Sequence, residues 1–209
     1  MALNTKAVFA GIEAMLLKHG FRKRQGNIYT KSEFDDIDSW IGLNRATRDK
    51  NLEINMVVGL RFRQVESIVH ELMGISDDHL TPPTIAGNIG YIGGQEKYYA
   101  VVLSTEAEIS RKVTDLEKAL LQWGIPFLEK TRNLSELVNI LKGARYLMPE
   151  QVLYRLPVAL YMLGKSQEAL NYIIAKEAEQ AMRTDPAANL YGHFTKAFRE
   201  LCAGQNSVE

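Results

Sequence analysis

Three aspartates, Asp35, Asp36 and Asp38, crowd one short stretch, and carboxylates so close together can do chemistry in two ways. They can ligate a divalent cation or share a proton as an acid–base pair. Aspartate is also a favoured turn residue, because its side chain bonds the nearby backbone, and a turn between strands is the simpler account of this cluster. Asp77-Asp78-His79 sets two carboxylates beside an imidazole. Helix-borne metal ligands need i, i+3 or i, i+4 spacing and a further partner, which this run lacks. His19, His70 and His193 are far apart, each on an expected helix. An acid–base site would have to gather Asp35, Asp36 or Asp38 with His79 or His193 across the fold. Cys202 is the single cysteine. With no base suggested beside it, it reads as a small buried hydrophobe, and alone it forms neither a disulfide nor a cysteine-rich zinc site. The sequence therefore assigns no catalytic residue, no metal and no cofactor.

Gly87-Asn88-Ile89-Gly90-Tyr91-Ile92-Gly93-Gly94 invites comparison with a phosphate-cradling loop. A dinucleotide fingerprint follows a strand and opens a helix, and a P-loop ends in Gly-Lys-Ser/Thr. Here a strand is expected to follow, and no such lysine or hydroxyl is present, so the segment reads as a flexible loop or a partner-binding flap.

Charge offers a different kind of site. The chain of 209 residues carries 25 basic and 25 acidic groups, so no global field draws it to nucleic acid or membrane. The distribution is uneven: residues 1–63 hold 11 basic and 7 acidic groups, whereas residues 64–110 hold 1 and 7. Arg22, Lys23 and Arg24, extended by Arg45, Arg48 and Lys50 if the turns lie on one side, form a candidate phosphate-contact patch. The competing account is an edge strand kept unpaired by charge. Glu66, Glu71, Asp77, Asp78 and Glu96 form a candidate acidic surface for a protein partner, suited to a basic nuclease toxin because it would occupy the place of nucleic acid.

These residues must be positioned by elements that the hydropathy pattern reveals. Leu52, Ile54, Met56, Val58, Leu60 and Phe62 alternate with Glu53, Asn55 and Arg61, which predicts one long strand with its even-numbered face in the core. Val8, Ile12, Met15 and Leu16 mark a first helix, capped at Asn4 or Thr5 and closed at Gly20. A short strand at Phe21–Arg24, its partner Ile28–Ser32, a strand Ile37–Arg45 and a polar loop at 47–51 lead into the long strand as an antiparallel meander. Val65–Met73 reads as a helix ended by Gly74, residues 75–95 as irregular, and Lys97–Leu103 as a further strand. Thr105 and Glu108 make a capping box for a helix through Trp123 that ends at Gly124-Ile125-Pro126. Beyond it only helices are expected, starting near Asn133, Pro149, Ser166 and Asp185-Pro186, with Pro157 kinking or dividing one of them. The expectation is an α+β fold. It has an antiparallel sheet of about four strands with packed helices in residues 1–124, and an all-helical region in residues 125–209 packed on the first as one unit.

The run Gly20-Phe21-Arg22-Lys23-Arg24, Gly26, Tyr29 and Ile54-Asn55, following a helix, resembles an uncharacterised bacterial family filed as a domain of unknown function, over residues 5–62. The resemblance implies a small cytosolic protein, with some members resembling immunity partners of secreted toxins. Ala159 to Leu170 looks like the turn of a tetratricopeptide-type helical hairpin, with Gly164 in the loop and Ala169 at the crossing; in one copy it reads as a local hairpin. Charges at Lys6, Glu13 and Lys18 interrupt any signal-peptide core, and no apolar run reaches the ~20 residues of a membrane span. The functional expectation is a cytosolic protein-binding protein, an immunity-type inhibitor of a cognate toxin. A nucleic-acid-binding module using the basic meander is the alternative, and an enzyme the third.

Overall fold

The computed structural model describes residues 3–34, 36–75, 83–143, 146–180, 182–183 and 185–205. The fold is α+β, built on one antiparallel sheet. The chain divides into two compact units interleaved in sequence: Met1–Arg61 with Ile85–Arg132, and Phe62–Thr84 with Asn133–Glu209.

The first unit begins with α1 (Thr5–Lys18), whose first turn is capped by Asn4 accepting from the Ala7 N–H at 3.2 Å. Strands β1 (Arg22–Gln25), β2 (Ile28–Phe34), β3 (Ile37–Arg48) and β4 (Asn51–Phe62) follow as a meander. The polar loop expected at 47–51 shrinks to a tight turn in which Asp49 and Lys50 both have positive φ, 48° and 70°. Such a turn matches the right-handed twist of its flanking strands, so β3 and β4 extend almost to each other. In β4 the even-numbered residues Leu52 to Phe62 are all buried, with Val58 buried and Val57 only partly so. The expected register holds.

The sheet has six strands among the described residues, in the order β1-β2-β3-β4-β5 with β6 also on β4; the expectation of about four is corrected. The extra strand is β5 (Ile85–Asn88), paired to β4 from Val57↔Asn88 to Leu60↔Ile85. It lies in the glycine-rich stretch read above as a loop or flap. Asn88 then caps the single turn α3 (Ile89–Ile92), and its side chain accepts from the Gly90 and Tyr99 amides at 3.0 and 2.8 Å and donates to the Tyr99 carbonyl at 3.0 Å. A Cβ on Gly90 would sit 2.2 Å from the Lys97 carbonyl oxygen. That glycine permits close packing, and a flap is not what it makes. The Lys97–Leu103 stretch contributes only β6 (Val101–Leu103), paired with Leu52 to Ile54.

Thr105 and Glu108 form the expected capping box, and a 3₁₀ turn (Glu106–Glu108) opens α4 (Ile109–Ala119). The helix does not end at Gly124-Ile125-Pro126. It passes through a π turn (Leu120–Gly124), where the Ile125 N–H reaches back to the Leu120 carbonyl, into α5 (Ile125–Lys130). The wider turn accommodates Pro126, which has no N–H to give the ordinary ladder. α1 and α4 pack together on the buried side of the sheet, where Glu13 faces Tyr29 and Lys23 and Gly124 approaches Val58.

The second unit is helical: α2 (Arg63–Met73), α6 (Leu134–Gly143), α7 (Pro149–Met162), α8 (Ser166–Gln180) and α9 (Pro186–Gln205). α2 packs against α7 and α9, and α7 is flanked by α6 and α8. α7 runs through Pro157 without being divided. Its core stacks Tyr154, Tyr191, Phe194 and Phe198 in edge-on and offset pairs with centroids 5.1–6.1 Å apart, an arrangement that aromatic quadrupoles favour.

Candidate functional site

Among the described residues, the sequence-derived acid–base candidates are placed apart: Asp38 on the β2–β3 hairpin, His193 on α9 and His19 beside Glu117. Asp35 and Asp77-Asp78-His79 lie outside the described residues. Asp38 accepts from the Ser32 hydroxyl at 2.9 Å across the β2–β3 hairpin, a turn-stabilising role. His193 is exposed on α9, and His19, at the end of α1, lies 2.8 Å from Glu117. Among the described residues no group of three or more His, Cys, Asp or Glu side chains could hold a metal ion. Cys202 is buried, and burial pushes its thiol up, away from the thiolate a nucleophile needs.

The basic residues divide between the two sides of the sheet. Directly paired residues in a ladder share a face, so Lys23, Tyr29 and Ile41 point one way, and Arg22, Thr30 and Trp40 the other. Lys23 is drawn to Glu13 of α1 at 2.9 Å, and the Arg45 guanidinium lies 6.0 Å from the Phe9 ring of α1. Arg24 donates to Thr30 at 2.8 Å on the opposite face, and Arg48 approaches Glu53 at 3.9 Å. Lys50 sits in the β3–β4 turn. Of the six residues adjacent in the pattern, five are thus split between two faces and Lys50 lies in a turn. β1 is a fully exposed edge strand, and its charges serve to discourage edge pairing.

The acidic set loses Glu66. That side chain is fully buried and receives Arg155 Nε at 2.7 Å and Nη2 at 2.8 Å, so it faces α7 rather than a partner. Glu71 and Glu96 are exposed.

An open groove of about 700 Å³ lies in the helical unit. Its floor comes from α7 through Val152, Leu153, Leu156 and Leu160, with Leu141 of α6 beside them. One wall is a stripe of α8, Glu168, Tyr172, Lys176 and Glu179, continued by Arg183 past the end of that helix. These positions recur every three or four residues, as a single helix face requires.

Local chemistry orders the walls. Lys142 of α6 is paired with Glu168 of α8, and that bond holds the Glu168 carboxyl below its usual range. Lys176 donates to Glu179 at 2.7 Å and stands 5.9 Å from the Tyr172 ring. Burial, with Glu179 second, pushes the Tyr172 phenol up to about 12, so it remains a hydrogen-bond donor at neutral pH. Arg183 donates to Asp185 at 2.8 Å, while Asp185 also accepts from the Ala187 and Ala188 amides at the start of α9.

The α7–α8 hairpin sets the open end. Gly164, with φ of +72°, reverses the chain, and the Lys165 N–H closes on the Leu160 carbonyl at 2.9 Å. Ala169 is fully buried at the crossing, as the hairpin pattern predicts. The reversal returns the last turn of α8 to the level of the first turn of α7. Met148, 67% exposed, precedes the first turn of α7, and Met182, 95% exposed, follows the last turn of α8. Exposed methionines form an adaptable apolar surface. Beside them Gln151–Arg155 are only half-buried, whereas Leu156–Leu160 are buried.

Sequence reasoning identified the hairpin but missed the groove. The α8 stripe and the two methionines were the available signals; convergence of residues between Leu141 and Ala187 belongs to the packing. Comparison with protein-family models, with curated proteins and with solved structures gives no match for this chain.

Proposed function

We propose that this chain is a cytosolic protein-binding protein, an immunity-type inhibitor that neutralises a cognate toxin by engaging it through the groove of the helical unit. The observation that carries the reading is the half-buried stretch Gln151–Arg155 of α7 beside the charged stripe of α8, with the exposed Met148 and Met182 next in sequence to the lining residues Pro149 and Arg183. Apolar anchors set in a charged rim are the usual anatomy of a protein interface. The motif in residues 5–62 supports the immunity role by resemblance. No described helix is long and apolar enough to cross a membrane.

The test is co-expression with the product of the gene immediately upstream, followed by co-purification on a tag carried by this chain. A stable complex is expected, and Met148→Glu combined with Met182→Glu should abolish it while leaving the circular dichroism unchanged, because both side chains are exposed. Failure of the wild type to retain that product, or equal retention by the double variant, refutes the proposal.

A further inference from the structure

The side of the sheet turned away from Glu13 of α1 lies in the first unit and shares no residue with the groove. We propose that this face binds single-stranded RNA. Arg22, Thr30 and Trp40 are paired in one row across β1, β2 and β3. The Arg24 Nε donates to the Thr30 hydroxyl at 2.8 Å, which places both arginines on this side. Alternate residues of a strand share a face, so Gly42 and Asn44 lie on it with Trp40. Asn44 donates to Asn55 at 3.3 Å, which carries the face onto the odd-numbered residues of β4. There Glu53 is paired with Val102 and accepts from the Tyr98 hydroxyl at 3.3 Å.

Two aromatic rings are held on this face. A Cβ on Gly42 would sit 2.3 Å from Cη2 and 2.7 Å from Cζ3 of Trp40, so the glycine lets the indole lie along the strand. Tyr98 is 51% exposed. Rings on an open sheet stack on bases, and unpaired bases have faces free to meet them. Charge agrees with a phosphate backbone. The acids of the face are engaged, Glu53 by Tyr98 and, at 3.9 Å, by Arg48, and Asp38 by the Ser32 hydroxyl. Neither Arg22 nor Arg24 meets a carboxylate among the described residues. The uncompensated charge is therefore positive and stands in the same row as the indole, as a strand with phosphates beside its bases requires. The hydrogen-bonding groups favour RNA. Exposed Asn44, between Trp40 and Arg48 on β3, gives its amide to Asn55 and keeps its carbonyl oxygen to accept. Thr30 accepts from Arg24 and keeps its proton to donate. A 2′-hydroxyl, donor and acceptor at once, answers both, and DNA lacks it.

The probe is a fluorescein-labelled uridine oligomer of about 12 nucleotides, with a deoxyuridine twin. Fluorescence anisotropy on the full chain should show binding that weakens as salt rises from about 50 to 200 mM. Tyr98→Ala should bind about tenfold more weakly. Arg22→Ala with Arg24→Ala should lower the slope of log affinity against log salt by about 1.4, the value for two phosphates of a single strand. Lys23→Ala with Arg45→Ala removes the same charge from the opposite side and should leave that slope unchanged. All five side chains are exposed, so circular dichroism should be the same for every variant. No binding at the lower salt, full binding by Tyr98→Ala, or equal effects of the two charge pairs overturns the proposal. Equal affinity for the deoxyuridine twin, or tighter binding of a duplex, overturns it as well. Met148→Glu with Met182→Glu should leave RNA binding intact, so this result and the co-purification result fail separately.

Discussion

Arg155 and Glu66 are 89 residues apart in sequence, and the guanidinium Nε and Nη2 donate to the two carboxylate oxygens of Glu66 at 2.7 and 2.8 Å. Glu66 is 0% exposed in its side chain and Arg155 12%, so the pair ties α2 to α7 in an environment that water scarcely reaches. A two-pronged geometry of this kind is the strongest form such a pair takes.

Glu66→Ala should cost about 3–5 kcal/mol, because it strands a buried cation whose partner is gone. Glu66→Leu combined with Arg155→Met should recover most of the loss, since the desolvation penalty disappears with both charges. Urea unfolding of Glu66→Ala and of the double variant checks this. A Glu66→Ala loss below about 1 kcal/mol would show that the pair is screened like a surface bridge.

Two glycines should respond to alanine with opposite signs. A Cβ on Gly59 would sit 2.2 Å from the Ile85 carbonyl oxygen and 2.7 Å from the Ala86 Cβ, so Gly59→Ala should force β4 and β5 apart and destabilise by about 1–3 kcal/mol or more. Gly192 lies within α9, and nothing approaches its Cβ position within 4 Å. Gly192→Ala should therefore stabilise by about 0.8–1 kcal/mol through helix propensity alone. A thermal midpoint unchanged or raised in Gly59→Ala would contradict the packing described for β4 and β5, and one lowered in Gly192→Ala would contradict the open space at that position.

Acid should weaken the first unit through Glu117. Its carboxyl is held below the usual range, first by the hydrogen bond with His19 and then by that from Lys18 at 3.0 Å. A depressed carboxylate contributes stability above its ordinary value of about 4.3 and loses it as pH falls through the folded-state value. Glu117→Gln should therefore lower stability at pH 7 and flatten the decline between about pH 5 and pH 3. Denaturant midpoints across that range measure it, and an unchanged acid slope would exclude the His19–Glu117–Lys18 contact as a contributor.

Much of the fold was legible because it follows from short periods. The alternation from Leu52 to Phe62 places one face of β4 in the core whatever surrounds it, since a one-residue slip would bury Glu53 and Arg61. The Asn4 cap, the Thr105–Glu108 box and the Gly164 reversal are likewise local, each settled by hydrogen bonds within a few residues. What escaped the sequence was long-range. β5 was hidden because Gly87 and Gly90 carry the signature of a loop, and only the close approach of a neighbouring backbone turns that signature into packing. Arg22, Lys23, Arg24, Arg45 and Arg48 formed one patch in the linear pattern and two in the sheet, because strand pleating sends alternate residues to opposite faces. Glu66 belonged to an acidic surface by composition, and Arg155 turned it inward. The groove was decided last of all: its lining comes from α6, α7, α8 and the start of α9, and no local period records how helices cross.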